Sequence, residues 1–153
     1  MSSTEVERAG VLRHEKQGHV GVVTFDNPSK FNAVNYDMWC ALPRVMDEFA
    51  ADPDIRVVML TGAGNKAFVS GADISQFKDR REGDAADAYN LATAAGYAAV
   101  LSCPKPTVAK IRGICMGGGL GIAQAGFFGQ LERVLDQGQA VGLEIGMGLE
   151  AGG

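Results

Sequence analysis

Basic residues, cysteines and long apolar runs are all scarce in this chain of 153 residues, and each scarcity removes a class of function. Lys and Arg together number 14 against 18 Asp and Glu, a net charge of -4. That balance gives no basic surface for nucleic acid, so no nucleic-acid partner is expected. The three cysteines, Cys40, Cys103 and Cys115, are scattered. Their odd count does not suggest a disulfide framework and their spacing suits no metal, so no metal site is expected and a reducing cytoplasm fits best. Nowhere do eighteen apolar residues run together, and the opening MSSTEVERAG mixes charges without an apolar centre. A soluble protein with neither a membrane span nor a secretory signal is therefore expected. The phosphate-loop, GxSxG and HExxH motifs are absent from the sequence, which removes the usual support for phosphate-loop, hydrolase and zinc readings. The two histidines, His14 and His19, fit solvent-facing positions in a strand and a turn.

What remains is enough for one packed domain, since 46% of the residues are hydrophobic and 21% charged. Val11 to Glu15 reads as a strand, Gly18 and His19 as a turn, and Val20, Val22, Val23 and Phe25 as the second strand of a hairpin. From a cap at Asn35, Met38, Trp39, Leu42, Val45, Met46 and Phe49 recur at helical spacing, with Pro43 the one dissenting residue. The run from Ile55 through Val57, Val58, Met59 and Leu60 reads as a strand buried on both faces of a parallel sheet. A helix over residues 84–101, begun by Asp84, is expected to turn Leu91, Ala94, Ala95, Ala98 and Leu101 to one side.

Residues 106–123, PTVAKIRGICMGGGLGIA, are the stretch around which the chain is organised. Val108, Ala109 and Ile111 read as a buried strand, and an apolar run after Gly117, Gly118 and Gly119 starts a helix of a turn or two beyond Ala123. Such a turn either binds a negative oxygen through free helix-start amides or is a plain strand-to-helix connection. A rival glycine pattern, Gly62, Gly64 and Ala67, fits the dinucleotide motif after a strand. Residues 70–73 intervene where that fold needs a long helix, and no strand ending in an acidic residue follows about twenty positions on, so no nicotinamide or flavin is expected.

Three blocks carry a resemblance that no single one carries alone: DNPSKFNAVN at 26–35, KAFVSGADI at 66–74 and GICMGGGLGIA at 113–123. In this order and spacing they resemble the crotonase family, also called the enoyl-CoA hydratase/isomerase superfamily, whose members read NPxxxNAL, AFxAGADI and GxxxGGGxE. The resemblance covers residues 11–123, the first half of a usual member. It implies an α/β spiral of strand-strand-helix repeats, here truncated at the C-terminus, with a loose tail at 1–10, an acyl-CoA-binding core at 11–123 and a divergent segment at 124–153. It implies a lyase or isomerase acting on an acyl-CoA thioester, with no cofactor beyond the coenzyme A of the substrate, and a homo-oligomer, trimer or hexamer, in the cytoplasm. The family polarises the thioester carbonyl with two backbone N–H groups, which fall on Ala72 and Gly118. Its coenzyme A contacts fall on Lys30, Asn32, Ala33, Lys66, Ser70, Gly71, Asp73 and Ile74, with Gly117 in the glycine turn.

The sequence departs from the pattern at the acid and base. Adding water across a double bond needs one proton removed and another delivered, which hydratases of this family do with two glutamates. The first position is Gly121 here, and the nearest match to the second is Glu144, displaced by a few residues. Two expectations follow: an enzyme in which Glu144 acts, or an acyl-CoA-binding remnant without the acid/base pair. A half-complete domain is also expected to expose apolar surface at Phe127, Phe128 and the sheet edge.

Overall fold

Gly18, at a φ of +59°, supplies the left-handed residue that a tight hairpin needs, and the chain folds back on itself there. β1 (Val11–Gln17) and β2 (Val20–Asp26) pair antiparallel, with His14 opposite Val23. The computed structural model describes residues 8–73, 75 and 82–136. β3 (Val57–Gly62) runs parallel to β2, and β5 (Thr107–Lys110) runs parallel to β3, giving the order β1-β2-β3-β5. A second sheet pairs β4 (Ala67–Val69) with β6 (Ile114–Cys115), also parallel, Val69 lying opposite Cys115. This short sheet brings the two glycine-bearing loops to one end of the molecule.

The crossover between β2 and β3 is α1 (Tyr36–Ala51), which starts where the sequence says it should: the Asn35 side chain accepts a 2.9 Å bond from the Met38 N–H. Met38, Trp39, Leu42, Val45, Met46 and Phe49 are all buried on its inner face, each side chain of this size contributing about 1.5 to 3 kcal/mol by leaving water. Pro43 sits inside the helix without delaying its start. At the far end the Lys105 ammonium donates to the Phe49 and Asp52 carbonyls, satisfying C-terminal acceptors with a cation that the helix dipole favours. Phe25, Leu60, Phe68 and Ile122 complete the core from β2, β3, β4 and α3 (Gly118–Asp136).

Four expectations need correction. Leu91, Ala94, Ala95, Ala98 and Leu101 are on the exposed side of α2 (Glu82–Leu101), with Leu91 72% exposed; Tyr89, Gly96 and Val100 form the buried face. Alanine differs little from its neighbours in burial energy, so the tyrosines and the close approach at Gly96 set the rotation. β5 is buried on one face only: Thr107 is buried and Ala109 half-buried, whereas Val108 on the opposite face is 49% exposed and Ile111, just past the strand, 46% exposed. In β3 only Val58 and Leu60 are buried, while Val57 and Met59 are half-covered. Helix α3 runs well past Ala123 to Asp136, so the expected boundary at 123/124 falls within it. Of the expected tail, Gly10 is anchored, its carbonyl accepting from Asn35 Nδ2 at 2.8 Å. Phe127 is exposed as expected; the Phe128 side chain, Ile74 and Glu144 lie outside what is described.

Candidate active site

The first wall of the site is the segment from Val69 to Asp73, and polar side chains hold it. Asn32, buried and left-handed at a φ of +57°, accepts from the Asn27 N–H at 3.0 Å and donates to the carbonyls of Ala63 and Ala67 at 2.9 Å each. Ser70 Oγ donates to the Lys30 carbonyl at 3.0 Å, and the Ser70 N–H to the Phe31 carbonyl at 3.1 Å. Asp73 is buried and receives Asn27 Nδ2 at 3.3 Å, Lys30 Nζ at 3.3 Å, and the hydroxyl and amide of Ser75 at 2.6 and 3.1 Å. Burial disfavours the charge on Asp73, but the Ser75 and Lys30 contacts outweigh it and hold the carboxyl below its ordinary range.

Val34 fixes the direction of this segment. Its N–H donates to the Gly71 carbonyl and its own carbonyl accepts from the Asp73 N–H, both at 2.9 Å, in a parallel bridge opposite Ala72. In that pattern the residues flanking Ala72 make the bonds, so the N–H of Ala72 faces the other way. The Val34 carbonyl also accepts from Tyr89 Oη at 2.8 Å, which in turn accepts from Trp39 Nε1 at 2.7 Å. A buried relay from α1 and α2 thus ends on the residue that sets Ala72.

The second wall is the glycine turn, and close packing holds it. The Met116 N–H donates to the Val69 carbonyl at 3.1 Å, prolonging the β4/β6 pairing. Gly117 then turns at a φ of +50°, and α3 begins at Gly118. A Cβ on Gly117 would lie 3.5 Å from Cα of Gly71, so the two walls touch there. A Cβ on Gly119 would lie 2.4 Å from the Val69 carbonyl oxygen, a distance no side chain tolerates. Gly118 opens the helix and its N–H has no preceding helical carbonyl to use. Neither the Ala72 nor the Gly118 N–H has an acceptor among the described residues.

Of the residues singled out from sequence, Ser70, Gly71, Ala72, Gly117 and Gly118 come together where the walls meet. Asn32 and Ala33 are buried beneath the first wall as supports. Lys30 is engaged with Asp73 and Ser75, bracing the loop beside a polar cavity of about 150 Å³ that Arg8 and Asn27 also line. Lys66 is exposed, with no side-chain partner among the described residues. The rival pattern at Gly62 leads into β4 instead of a helix, and Gly62 itself is required by packing, since a Cβ there would lie 2.3 Å from the Ala67 carbonyl oxygen. Trp39, Tyr89 and Tyr97 were not anticipated at the site; the signal available was two tyrosines, eight positions apart, in an alanine-rich helix.

Among the described residues, no helix is long and apolar enough to cross a membrane, and no cluster of His, Cys, Asp and Glu suits a metal ion. The model of the enoyl-CoA hydratase/isomerase family matches residues 20–129. A short-chain-enoyl-CoA hydratase of Clostridium acetobutylicum is 35% identical over 111 residues, covering 72% of this chain and 42% of that protein. The mitochondrial 3-hydroxyisobutyryl-CoA hydrolase of Mus musculus is 36% identical over 129 residues, covering 82% of this chain and 33% of that protein. A crystal structure of an enoyl-CoA hydratase/carnithine racemase from Magnetospirillum magneticum matches with a TM-score of 0.70 at 39% identity, over 77% of this chain and 45% of that one. The chain therefore spans less than half the length of these relatives. With a family model matched over more than half its residues and its strands and helices arranged as in the solved structures, the chain belongs to the enoyl-CoA hydratase/isomerase family and has its mixed α/β fold.

Proposed function

We propose that the chain binds an acyl-CoA thioester and stabilises its enolate through the N–H groups of Ala72 and Gly118. The observation that carries this reading is the close approach of Gly117 to Gly71, beside the Ala72 and Gly118 amides, which have no acceptor among the described residues. An enolate concentrates negative charge on the former carbonyl oxygen, and preorganised donors facing it stabilise the transition state more than the ground state. Each well-aimed donor contributes about 3 to 4 kcal/mol. Small residues at 71, 72 and 117–119 leave room for a thioester, and Lys66, exposed and without a side-chain partner among the described residues, offers a cation for the phosphates of coenzyme A. Ser70, Gly71, Asp73 and Ile74 belong to the same coenzyme-binding loop in this reading, Asp73 as its internal brace. A cytoplasmic homo-oligomer, trimer or hexamer, is part of the proposal; the exposure of Val108, Ile111, Met116 and Leu120 supports association.

The reaction class is that of a lyase or isomerase, with Glu144 the proposed second acid/base group. Calorimetric titration with crotonyl-CoA, followed by a hydration assay on the protein and on Glu144→Ala, tests it. Binding with turnover that vanishes in the variant is expected; absence of binding to any acyl-CoA rejects the reading. Gly121 favours a second reading, a catalytically inactive acyl-CoA-binding remnant, for which binding without turnover is the outcome.

A further inference from the structure

The position that carries a carboxylate in the family motif is Gly121, and here its space is filled from another helix. A Cβ on Gly121 would lie 2.7 Å from both Cζ and Oη of Tyr97. No side chain fits at 121 while that ring is in place. The ring also packs edge to face against Trp39, at 5.1 Å between centroids. Trp39 and Tyr97 together also approach Gly118: a Cβ there would meet Trp39 Cζ2 at 3.2 Å and Tyr97 Oη at 3.7 Å. The hydroxyl therefore stands beside the residue whose amide is the second oxyanion donor. It has no hydrogen-bond partner among the described residues.

From this geometry we infer that Tyr97 Oη is a third donor to the thioester oxygen, a side-chain hydrogen bond added to those of the Ala72 and Gly118 amides. The inference rests on the acyl-CoA reading above and deepens it. Burial pushes the Tyr97 phenol above its ordinary pKa, so at neutral pH it keeps the proton it would donate. A neutral donor near a developing negative oxygen strengthens its bond as the charge grows, because charge-assisted hydrogen bonds are stronger than neutral ones. Gly121 then has a physical reason: a residue with a side chain there would displace the donor. The chain has exchanged an ionisable group on α3 for a hydroxyl on α2.

The test compares two ligands on the wild-type protein and on Tyr97→Phe, which keeps the ring against Trp39 and Gly121 and removes only the hydroxyl. Acetoacetyl-CoA enolises readily and presents a charged oxygen, whereas butyryl-CoA remains a neutral thioester. The expected result is a loss of about 10- to 100-fold in affinity for acetoacetyl-CoA and of only about threefold for butyryl-CoA. Replacing Tyr97 by 3-fluorotyrosine, a more acidic donor of nearly the same size, is expected to tighten acetoacetyl-CoA and leave butyryl-CoA unchanged. Equal changes for both ligands, or none, overturn the role of Tyr97 while leaving the two-amide reading standing. Wild-type protein that binds neither ligand overturns the acyl-CoA reading, and the third donor with it.

Discussion

The two walls of the site are built by opposite means. The wall at residues 69–73 is held by side chains: Asn27, Asn32, Ser70, Asp73 and Tyr89 each contribute named hydrogen bonds. The wall at residues 117–121 is held by the lack of them, since Gly119 and Gly121 stand where a Cβ would meet the Val69 backbone or the Tyr97 ring. One wall is held by a polar lattice, and the other by contact distance. The difference predicts different modes of failure. A polar lattice loosens when a partner is removed or protonated, whereas a close-packed turn fails when volume is added.

The largest effect is expected at Asn32. Asn32→Ala strands the Asn27 N–H and the Ala63 and Ala67 carbonyls in a buried setting, and a loss of about 3 to 5 kcal/mol in unfolding free energy is expected from urea denaturation. Gly121→Glu attacks the other wall by adding volume. It is expected to destabilise by about 1 to 3 kcal/mol, and Tyr97→Ala in the same chain is expected to relieve much of that loss, a coupling read from a double-mutant cycle. Independent effects of the two substitutions would refute the contact between them. Tyr89→Phe keeps the ring but removes the bond to the Val34 carbonyl and takes the acceptor from the buried Trp39 indole N–H. It is expected to cost about 1 to 3 kcal/mol and to raise exchange of the Asp73 amide, which donates to the Val34 carbonyl, more than that of Gly121, which donates to the Gly117 carbonyl.

Acid sharpens the contrast further. The Asp73 carboxyl has its folded pKa below the ordinary value of 3.8, so its contribution to stability is full above that value and is lost as pH falls through the lower, folded one. Hydrogen exchange at residues 71–73 should therefore accelerate in that acid range ahead of exchange at 118–121. Asp73→Asn is expected to abolish the difference. The smallest effect is expected from Lys66→Ala, which should weaken acyl-CoA binding by less than about 1 kcal/mol, as an exposed charge does, and more weakly still at high salt.

The same contrast governs what was legible in the sequence. Helix α1 could be read with its cap and inner face because its buried positions are large and its outer ones polar. The hairpin was readable from its turn at Gly18 and His19, β3 was readable as a strand but not in which of its faces is buried, and the three motif blocks singled out the loops at 66–74 and 113–123. Helix α2 was misoriented, because its alanines give no contrast between faces and its packing depends on Tyr89, Tyr97 and the contact of Gly96 with Trp39. Strands β4 and β6, of three and two residues, are too short for periodicity to register. The exposure of one face of β5 depends on what packs against the sheet, which local sequence does not contain. The occupation of the Gly121 space by Tyr97 joins residues from separate helices, and only packing reveals it.

Infrared difference spectroscopy of crotonyl-CoA labelled with carbon-13 at the thioester carbonyl reports on that one bond when the ligand is bound. Donation from the two amides is expected to lower the carbonyl stretching frequency relative to free ligand. A bound ligand whose carbonyl frequency equals that of the free thioester would contradict the grip of Ala72 and Gly118 on its oxygen.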